Sequence, residues 1–306
     1  MGSPDPLTGQ RRTSGALHAV GGCVLRDSLA PTRTSSGPVT YEGGTVERRD
    51  VRGHYAGLAA EYDDHWVYGP SYIPWMAARI AEALRLTATD RIADIGCGTG
   101  LFAREVVKAV RPTRPVLCAD PSEAMLRQIG TPLPPGLMPV VASAEDIADG
   151  AVDLPQGQLD AMWLKESVHH LPDPARTLRG LAARLAPGGR LLVVMLPTTI
   201  RYPLFNAALT RFEELQPDPA DIVGHLESAG MKAGLTHVEH ELRIDRDRYF
   251  GMVRARYMSL LSTFSDDEIE KGIEEMSAAH PEPVLVFPDR FAFVLGEAEK
   301  PRGGGE

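Results

Sequence analysis

The feature that most constrains the fold is a regular alternation of short apolar runs with helical segments. Seven runs predict strands, and they lie at Arg91–Ile95, Pro115–Ala119, Pro139–Ala142, Leu159–Leu164, Arg190–Leu196, Leu235–Ile244 and Val284–Leu295. The first five alternate with helices and must run parallel, because each helix returns the chain to the starting edge of the sheet. The sequence therefore predicts an α/β fold with a doubly wound, mostly parallel, seven-stranded sheet and helical cap elements.

The two ends of the chain differ from this pattern. Residues 1–45 are rich in Gly, Ser, Thr, Pro and Arg, and they predict a disordered leader, since residues 1–40 contain no aromatic side chain to bury. Arg11-Arg12 and the apolar stretch after it faintly resemble an export signal, which is the alternative interpretation. The folded domain is expected over residues 46–298, followed by a polar tail at 299–306.

Two additions to the predicted sheet are helical. Aromatic residues at helical spacing predict cover helices over residues 46–88, and a helical insertion is expected over residues 246–280. The second helix of the insertion begins with Ser265, and Glu268 three residues later completes a capping box. On a helical wheel the insertion has an apolar stripe, which consists of Tyr249, Val253, Tyr257, Leu260 and Phe264.

Composition excludes several classes of protein. The 306 residues carry a net charge of −9 and are 43% hydrophobic, which fits a globular chain and argues against a broad nucleic-acid-binding surface. The longest apolar run, residues 191–196, is far shorter than the roughly 20 residues that cross a membrane. The three cysteines are widely spaced and form no CxxC, which argues against a zinc ribbon or a disulfide scaffold and fits a reducing cytoplasm.

The most informative motif is Asp94-Ile95-Gly96-Cys97-Gly98-Thr99-Gly100, between a predicted strand and a helix. Glycines at this point let the backbone turn tightly and approach a ligand. The GxGxxG pattern of a dehydrogenase would need glycine where Leu101 stands, and a P-loop would need a Lys-Ser/Thr pair after its last glycine. Because Asp94 would repel a phosphate, the loop favours a ligand with a cationic group.

Acidic residues follow the next two strands. Asp120 ends the second strand about 20 residues beyond the glycines, where a carboxylate can accept both hydroxyls of a ribose. Ala144 and Glu145 follow the third strand, and a backbone amide beside a carboxylate can read the edge of an adenine. The pattern therefore predicts an adenosine-containing ligand.

These segments together resemble the class I S-adenosylmethionine (SAM)-dependent methyltransferases. The resemblance covers residues 50–297, and it is carried by DIGCGTG (94–100), ADPSEAML (119–126), ASAED (142–146), LDAMWLKESVHHLPDP (159–174) and LAPGGRLLVV (185–194). It implies a Rossmann-like fold, SAM as cofactor, S-adenosylhomocysteine as product and a small-molecule acceptor.

The same resemblance implies a role for individual residues. Asp94 and the backbone from Gly96 through Gly98 to Gly100 would hold the methionine part of SAM, and the backbone at Lys165 would face its amino group. The remaining cofactor residues are Asp120 and Pro121 at the ribose, Met125, Ala144 and Glu145 at the adenine, and Tyr55 and Tyr62 on a covering helix. Each tyrosine can equally be a packing residue.

Three residues after the fourth strand are candidates for catalysis. Methyl transfer is an in-line displacement, so the enzyme aligns the acceptor and removes a proton. Glu166 stands where many relatives have a neutral residue, and it would act as a base or stabilise a developing cation; a salt bridge to Lys165 is the alternative. His169 and His170 are candidate bases or, alternatively, packing residues at a helix start.

The acceptor is predicted from a local arginine cluster. Arg254 and Arg256, with Arg201, Tyr202, Phe205 and Tyr257, would bind an anionic head group, because the guanidinium fork suits phosphate. Together with Glu166 and the aromatic residues this favours C-methylation of an isoprenoid, either a prenyl diphosphate or a prenylated natural product. The alternatives are O- or N-methylation of a secondary metabolite, SAM binding without catalysis, and ordinary ion pairing of the arginines.

Other partners are not predicted. The sequence shows no metal site, although a diphosphate substrate would bring Mg²⁺ with it. It predicts no nucleic-acid or membrane partner, a cytoplasmic location, and an oligomeric state left open between a monomer and a homo-oligomer.

Overall fold

A computed structural model describes residues 71–299 of the chain. The predicted leader, the cover residues Tyr55 and Tyr62, and all but the first residue of the predicted tail lie outside the described residues. Among the described residues, no helix is both long and apolar enough to cross a bilayer.

The described chain alternates strands and helices, as the sequence predicts. The strands are β1 (Ile92–Ile95), β2 (Val116–Asp120), β3 (Leu137–Val141), β4 (Leu159–Lys165), β5 (Leu185–Met195), β6 (Met231–Asp245) and β7 (Val284–Ala298). The helices are α1 (Tyr72–Ala83), α2 (Leu101–Val110), α3 (Glu123–Arg127), α4 (Ala144–Ala148), α5 (Pro174–Ala182), α6 (Asn206–Leu215), α7 (Pro219–Ser228), α8 (Arg246–Arg254) and α9 (Asp266–Ala279). Short 3₁₀ helices occupy Val168–His170 and Ser259–Thr263.

The strands form one seven-stranded sheet in the order β3-β2-β1-β4-β5-β7-β6. The pairs among the first five strands are parallel, and β7 is antiparallel to both β5 and β6. This confirms the predicted Rossmann-like, mostly parallel α/β sheet. The strand order reverses between β1 and β4, and ligands of such sheets bind at the carboxyl ends of the strands beside that point.

The centre of the sheet is buried on both faces, which explains why its central strands appear in the sequence as continuous apolar runs. All four residues of β1 and all five of β2 are buried. One face packs Trp163, Phe291 and Tyr249 into a core under α1, α2 and the insertion. The other face packs Met162 and Leu164 under a second set of helices.

Local signals fix several helix starts. Asp173 and Asp218 each accept a backbone N–H at the start of a helix whose first residue is proline. Ser265 and Glu268 form both bonds of the predicted capping box at the start of α9. These caps determine where the helices begin, and they need no contact between residues distant in sequence.

The insertion differs from the helical wheel that the sequence predicts. Its first helix ends at Arg254, and Arg256 has φ +55°, in the left-handed region, so no single helix runs to Phe264. The stripe residues Tyr249, Val253 and Tyr257 are nevertheless buried. The prediction of a buried apolar stripe is therefore confirmed, whereas its continuous helical geometry is wrong.

Candidate active site

The glycine loop connects β1 to α2 in a conformation that its glycines permit. Gly96, Gly98 and Gly100 all have positive φ, at 74°, 56° and 71°. A Cβ added at Gly96 would lie 2.8 Å from Cβ of Ser167, so this turn also needs a residue without a side chain. The loop forms a cradle of backbone that a ligand can approach closely.

Asp120 ties the end of β2 to this loop. Its carboxylate accepts the backbone N–H of Gly98 at 2.8 Å and that of Ser122 at 2.8 Å. Burial raises the pKa of Asp120, and these two backbone bonds oppose that shift. A carboxylate offers about four acceptor positions, so two remain for the hydroxyls of a ribose.

Asp94 lies under the loop at the end of β1 and is only 3% exposed. Burial raises the pKa of Asp94 well above its usual range, the charge of Asp120 raises it further, and Lys165 opposes the shift. Two buried carboxyl groups beside a glycine loop disfavour a phosphate and favour a cationic ligand group. The carboxyl groups of Asp94 and Asp120 are therefore the hydrogen-bond acceptors that the resemblance implies for bound SAM.

The proposed adenine side of the site is formed by the residues after β2 and β3. The backbone N–H of Ala142 donates to the carbonyl oxygen of Asp120 at 3.1 Å, which holds the two strand ends together. Ala144 is the first residue of α4, Glu145 follows it half-buried, and Met125 on α3 is buried. Pro121 lies between Asp120 and the cap of α3.

Glu166 directly follows β4 in a strained conformation with φ +51°. Its backbone N–H donates to Val194 at 2.8 Å, and its Oε1 accepts the N–H of Leu196 at 2.9 Å. Burial raises the pKa of Glu166 to about 7, and Lys165 opposes this shift. Non-glycine residues in this region of φ cluster at functional sites, where the surrounding contacts hold them in place.

Lys165 ends β4 with its ammonium group among aromatic rings. Nζ lies 4.6 Å from the ring centroid of Phe102 and 5.2 Å from that of Phe291. Burial lowers the pKa of Lys165, and the carboxyl groups of Glu166, Asp289 and Asp94 oppose the shift. The predicted role of Lys165 involved only its backbone, whereas its side chain lies among the carboxyl groups of the site.

Asp289 is a site residue that sequence reasoning missed. It lies on β7, is 0% exposed, and accepts the hydroxyl of Tyr72 at 2.8 Å and the hydroxyl of Tyr202. Burial raises the pKa of Asp289 to about 6, although both tyrosines oppose the shift. The pattern that could have revealed it is the alternation of inward apolar residues in β7, which this aspartate interrupts between Phe287 and Phe291.

The rings of the two candidate histidines, His169 and His170, are in edge-to-face contact, with centroids 4.0 Å apart. Burial lowers the pKa of His169 well below its usual range, and the charges of His170 and Lys165 lower it further, so the imidazole is neutral. Its Nδ1 is buried and finds no hydrogen-bond partner among residues 71–299. A neutral imidazole with an unused nitrogen can accept a proton from a ligand.

The aromatic residues predicted to bind substrate divide into two groups. Tyr202 reaches Asp289, and Tyr257 lies in the same core with its hydroxyl 3.1 Å from that of Tyr249. Phe205 instead packs edge-to-face on Phe264, with centroids 5.2 Å apart, and anchors the insertion. Phe205 thus has a packing contact that accounts for its burial.

The predicted arginine site is not assembled in the structure. Arg254 forms an ion pair with Glu270 at 2.9 Å, and Arg256 forms one with Asp266 at 2.7 Å. The acids Glu270 and Asp266 are exposed on α9, so these arginines bind the surface of their own insertion. Arg201 is exposed and lines a surface cavity with Tyr202. In this structure Arg254 and Arg256 therefore form the ordinary ion pairs that the sequence analysis gave as the alternative.

Lys165, Glu166, His169 and Asp289 thus form the candidate acceptor site beside the glycine loop. Tyr72, Tyr202, Tyr249 and Tyr257 bring their hydroxyls to the same region. In the part of the chain that the structure describes, no group of three or more His, Cys, Asp or Glu side chains could hold a metal ion.

Known proteins match this part of the chain. Residues 93–193 match the family model described as "Methyltransferase domain". The chain is 28% identical over 149 residues to a ubiquinone biosynthesis O-methyltransferase of Bordetella bronchiseptica, which covers 48% of this chain and 60% of that protein. It is 34% identical over 122 residues to the 27-O-demethylrifamycin SV methyltransferase of Amycolatopsis mediterranei, covering 37% of this chain and 41% of that protein.

A solved structure shares the fold. The YcgJ protein of Bacillus subtilis superposes with a TM-score of 0.51 at 14% identity, over 73% of this chain and 98% of that one. The family model matches residues 93–193, and the strand order and the glycine loop around them are those that the resemblance to class I SAM-dependent methyltransferases implies. The alignments span about two fifths to three fifths of these curated relatives, which leaves the acceptor to be argued from the site itself.

Proposed function

We propose that this protein transfers the methyl group of SAM to a small metabolite. The observation that carries the proposal is the hydrogen bond from the glycine loop to Asp120. It holds a carboxylate that can accept the hydroxyls of a ribose beside the backbone cradle of the loop. Asp94 under the same loop offers a buried carboxyl group to the ammonium group of the methionine part, and that positive charge would favour the ionised form of Asp94. These residues fit SAM by the chemistry of their donors and acceptors.

SAM, when bound, supplies a methyl group on a positively charged sulfur. The acceptor atom attacks that carbon, the sulfur–carbon bond breaks, and a proton of the acceptor must go to the protein. Glu166 is the proposed proton acceptor, and the hydrogen bond from the N–H of Leu196 to its Oε1 supports this role because it holds the carboxyl group in one orientation. His169 is the second proton acceptor, since its imidazole is neutral and its Nδ1 is unused within the described chain.

A second candidate is C-methylation of an isoprenoid, in which methyl addition to an alkene leaves a carbocation. The observation that favours it is the set of aromatic rings around the site, since ring faces stabilise cations. Phe102 and Phe291 already hold the ammonium group of Lys165 in this way. The paired state of Arg254 and Arg256 removes the support for a diphosphate head group bound by the insertion.

A substrate screen with labelled SAM tests the proposal. Geranyl and isopentenyl diphosphates, with and without Mg²⁺, are compared with phenols and amines. Incorporation of label into any acceptor, abolished in Asp120→Ala, is the expected result. Tight SAM binding with no transfer to any acceptor class would instead favour a SAM-binding protein without catalysis.

We also propose a cytoplasmic location, which is supported by Cys97 and Cys118. Both are buried and unpaired, as expected where thiols stay reduced.

A further inference from the structure

The acceptor side of the site contains more carboxyl groups than ammonium groups. Lys165 has the one ammonium group. The carboxyl groups of Glu166, Asp289 and Asp94 all lie close enough to interact with it electrostatically. The other titratable groups packed around them are the neutral His169, the half-buried His240 opposite Asp289 on β6, and the phenols of Tyr72, Tyr202, Tyr249 and Tyr257. Buried charges are stable only when they are balanced, so this region favours a positive ligand group.

The hydrogen-bonding capacity of these groups also favours a positive ligand group. Asp289 accepts two phenol hydroxyls, and Glu166 accepts one backbone N–H through Oε1, so both carboxylates retain acceptor positions. His169 adds a buried Nδ1 without a partner among the described residues. An orphaned buried nitrogen of this kind normally meets a ligand or an ordered water. A positively charged ligand group with several hydrogen-bond donors would satisfy these acceptor positions.

Aromatic rings pack around Asp289. Phe287 packs on Tyr202 with centroids 5.3 Å apart, and Tyr249 packs on Phe287 at 5.4 Å. On the other side of Asp289, Tyr72 and Trp75 stack with His240, whose ring centroid lies 4.6 Å from that of Trp75. Rings around a carboxylate are the arrangement that binds alkylated ammonium ions.

Tyr202 connects Asp289 to the protein surface. Its hydroxyl donates to Asp289, and the same residue lines a surface cavity with Arg201, Pro288 and Glu239. A ligand that competes for the carboxylate of Asp289 would displace this hydroxyl.

We propose that Asp289 and Glu166 bind a positively charged nitrogen of the acceptor, so that the substrates of this site are amines. The proposal rests on the proposed methyltransferase function and specifies its acceptor. Asp289 holds the cationic nitrogen against the aromatic rings, and Glu166 or His169 first takes one N–H proton from it. The lone pair that this frees on the nitrogen would then form the nitrogen–carbon bond as the sulfur–carbon bond of SAM breaks. A neutral alkene or an anionic diphosphate finds no matching charge there.

The test uses choline as a cationic probe and 3,3-dimethylbutan-1-ol as its neutral isostere. Each is titrated by calorimetry into the full-length protein at pH 8.5, with and without saturating S-adenosylhomocysteine. Choline is expected to bind at least tenfold more tightly than the alcohol. Asp289→Asn, which keeps an oxygen for the tyrosine hydroxyls, is expected to abolish this preference.

Asp149→Asn is the matched control, because Asp149 forms an exposed ion pair with Arg176 and should leave choline binding unchanged. Circular dichroism establishes that each variant is folded. Equal binding of choline and the alcohol, no binding of choline, or full choline binding by Asp289→Asn would each overturn the inference. Failure of S-adenosylhomocysteine to bind would overturn the methyltransferase proposal separately, since choline is also titrated alone.

Discussion

The carboxylate of Asp120 accepts the backbone N–H of Gly98 at 2.8 Å, across the 22 residues that separate β2 from the middle of the glycine loop. This bond fixes the loop against the neighbouring strand before any ligand arrives. It also means that the residue proposed to bind the ribose shapes the cradle proposed to bind the rest of the cofactor. Loss of this side chain should therefore affect both parts of the site.

Gly96→Ala should weaken cofactor binding and stability together. A left-handed φ costs a non-glycine residue about 1–2 kcal/mol, and the added Cβ would lie 2.8 Å from that of Ser167. Thermal unfolding and calorimetry with S-adenosylhomocysteine measure the two effects. Gly157→Ala is a matched control, because it has φ +72° but no neighbouring heavy atom within 4 Å. Equal losses in the two variants would show that the contact with Ser167 is unimportant.

Glu166→Gln should reduce turnover by at least tenfold and leave the affinity for SAM nearly unchanged. The wild-type rate should rise with pH through about 7, because burial raises the pKa of Glu166 to that value and only the ionised form accepts a proton. In the variant this rise should disappear. A pH profile of kcat measured with labelled SAM checks both statements, and an unaltered profile would exclude Glu166 as the base.

The burial of Asp289 predicts how stability depends on pH. Because the pKa of Asp289 rises from 3.8 to about 6 on folding, the folded chain binds more protons between these values than the unfolded chain. The free energy of unfolding should therefore fall as pH rises from about 4 to 6. At about 1.4 kcal/mol per pKa unit, the contribution of this residue is on the order of 3 kcal/mol.

Asp289→Asn removes that titration. Urea unfolding at pH 4.5 and pH 8 should show that the variant gains stability relative to wild type at the higher pH. The variant and the wild type differ in their free energy of unfolding. If this difference is the same at both pH values, Asp289 is not a buried carboxyl group with a raised pKa.

Arg254→Ala should leave turnover unchanged, since its guanidinium pairs with Glu270 on the surface of the insertion. Exposed ion pairs of this kind contribute about 0–1 kcal/mol, so the melting temperature should shift little. Steady-state kinetics with the acceptor found in the substrate screen measure the effect. A large rise in KM for that acceptor would restore the arginine site predicted from the sequence.

The sequence predicts the sheet and the glycine loop because their signals are local. The φ values of Gly96, Gly98 and Gly100 depend on the missing side chains, and the central strands β1 and β2 are apolar because both their faces are covered. Asp120 was identified because its position at a strand end and its distance from the glycines are visible in the sequence.

The acceptor site could be predicted only in part, because its contacts are distant in sequence. Tyr72 and Asp289 are 217 residues apart, and no local pattern pairs them. The positions of the arginines were not predicted because the helical wheel assumed one continuous helix, whereas the chain turns at Arg256 and places its guanidinium against Asp266. Burial of Lys165 among aromatic rings likewise follows from the sheet order and not from its neighbours in the chain.

The most direct test of the central claim is a calorimetric titration of the wild-type protein and Asp120→Ala with S-adenosylhomocysteine. Loss of a buried, charged acceptor costs about 1.5–3 kcal/mol, so the variant should bind at least tenfold more weakly. Asp146→Ala, which alters only the exposed cap of α4, should bind nearly as wild type. Saturable wild-type binding with this loss supports the account, and an affinity unchanged by Asp120→Ala would contradict it.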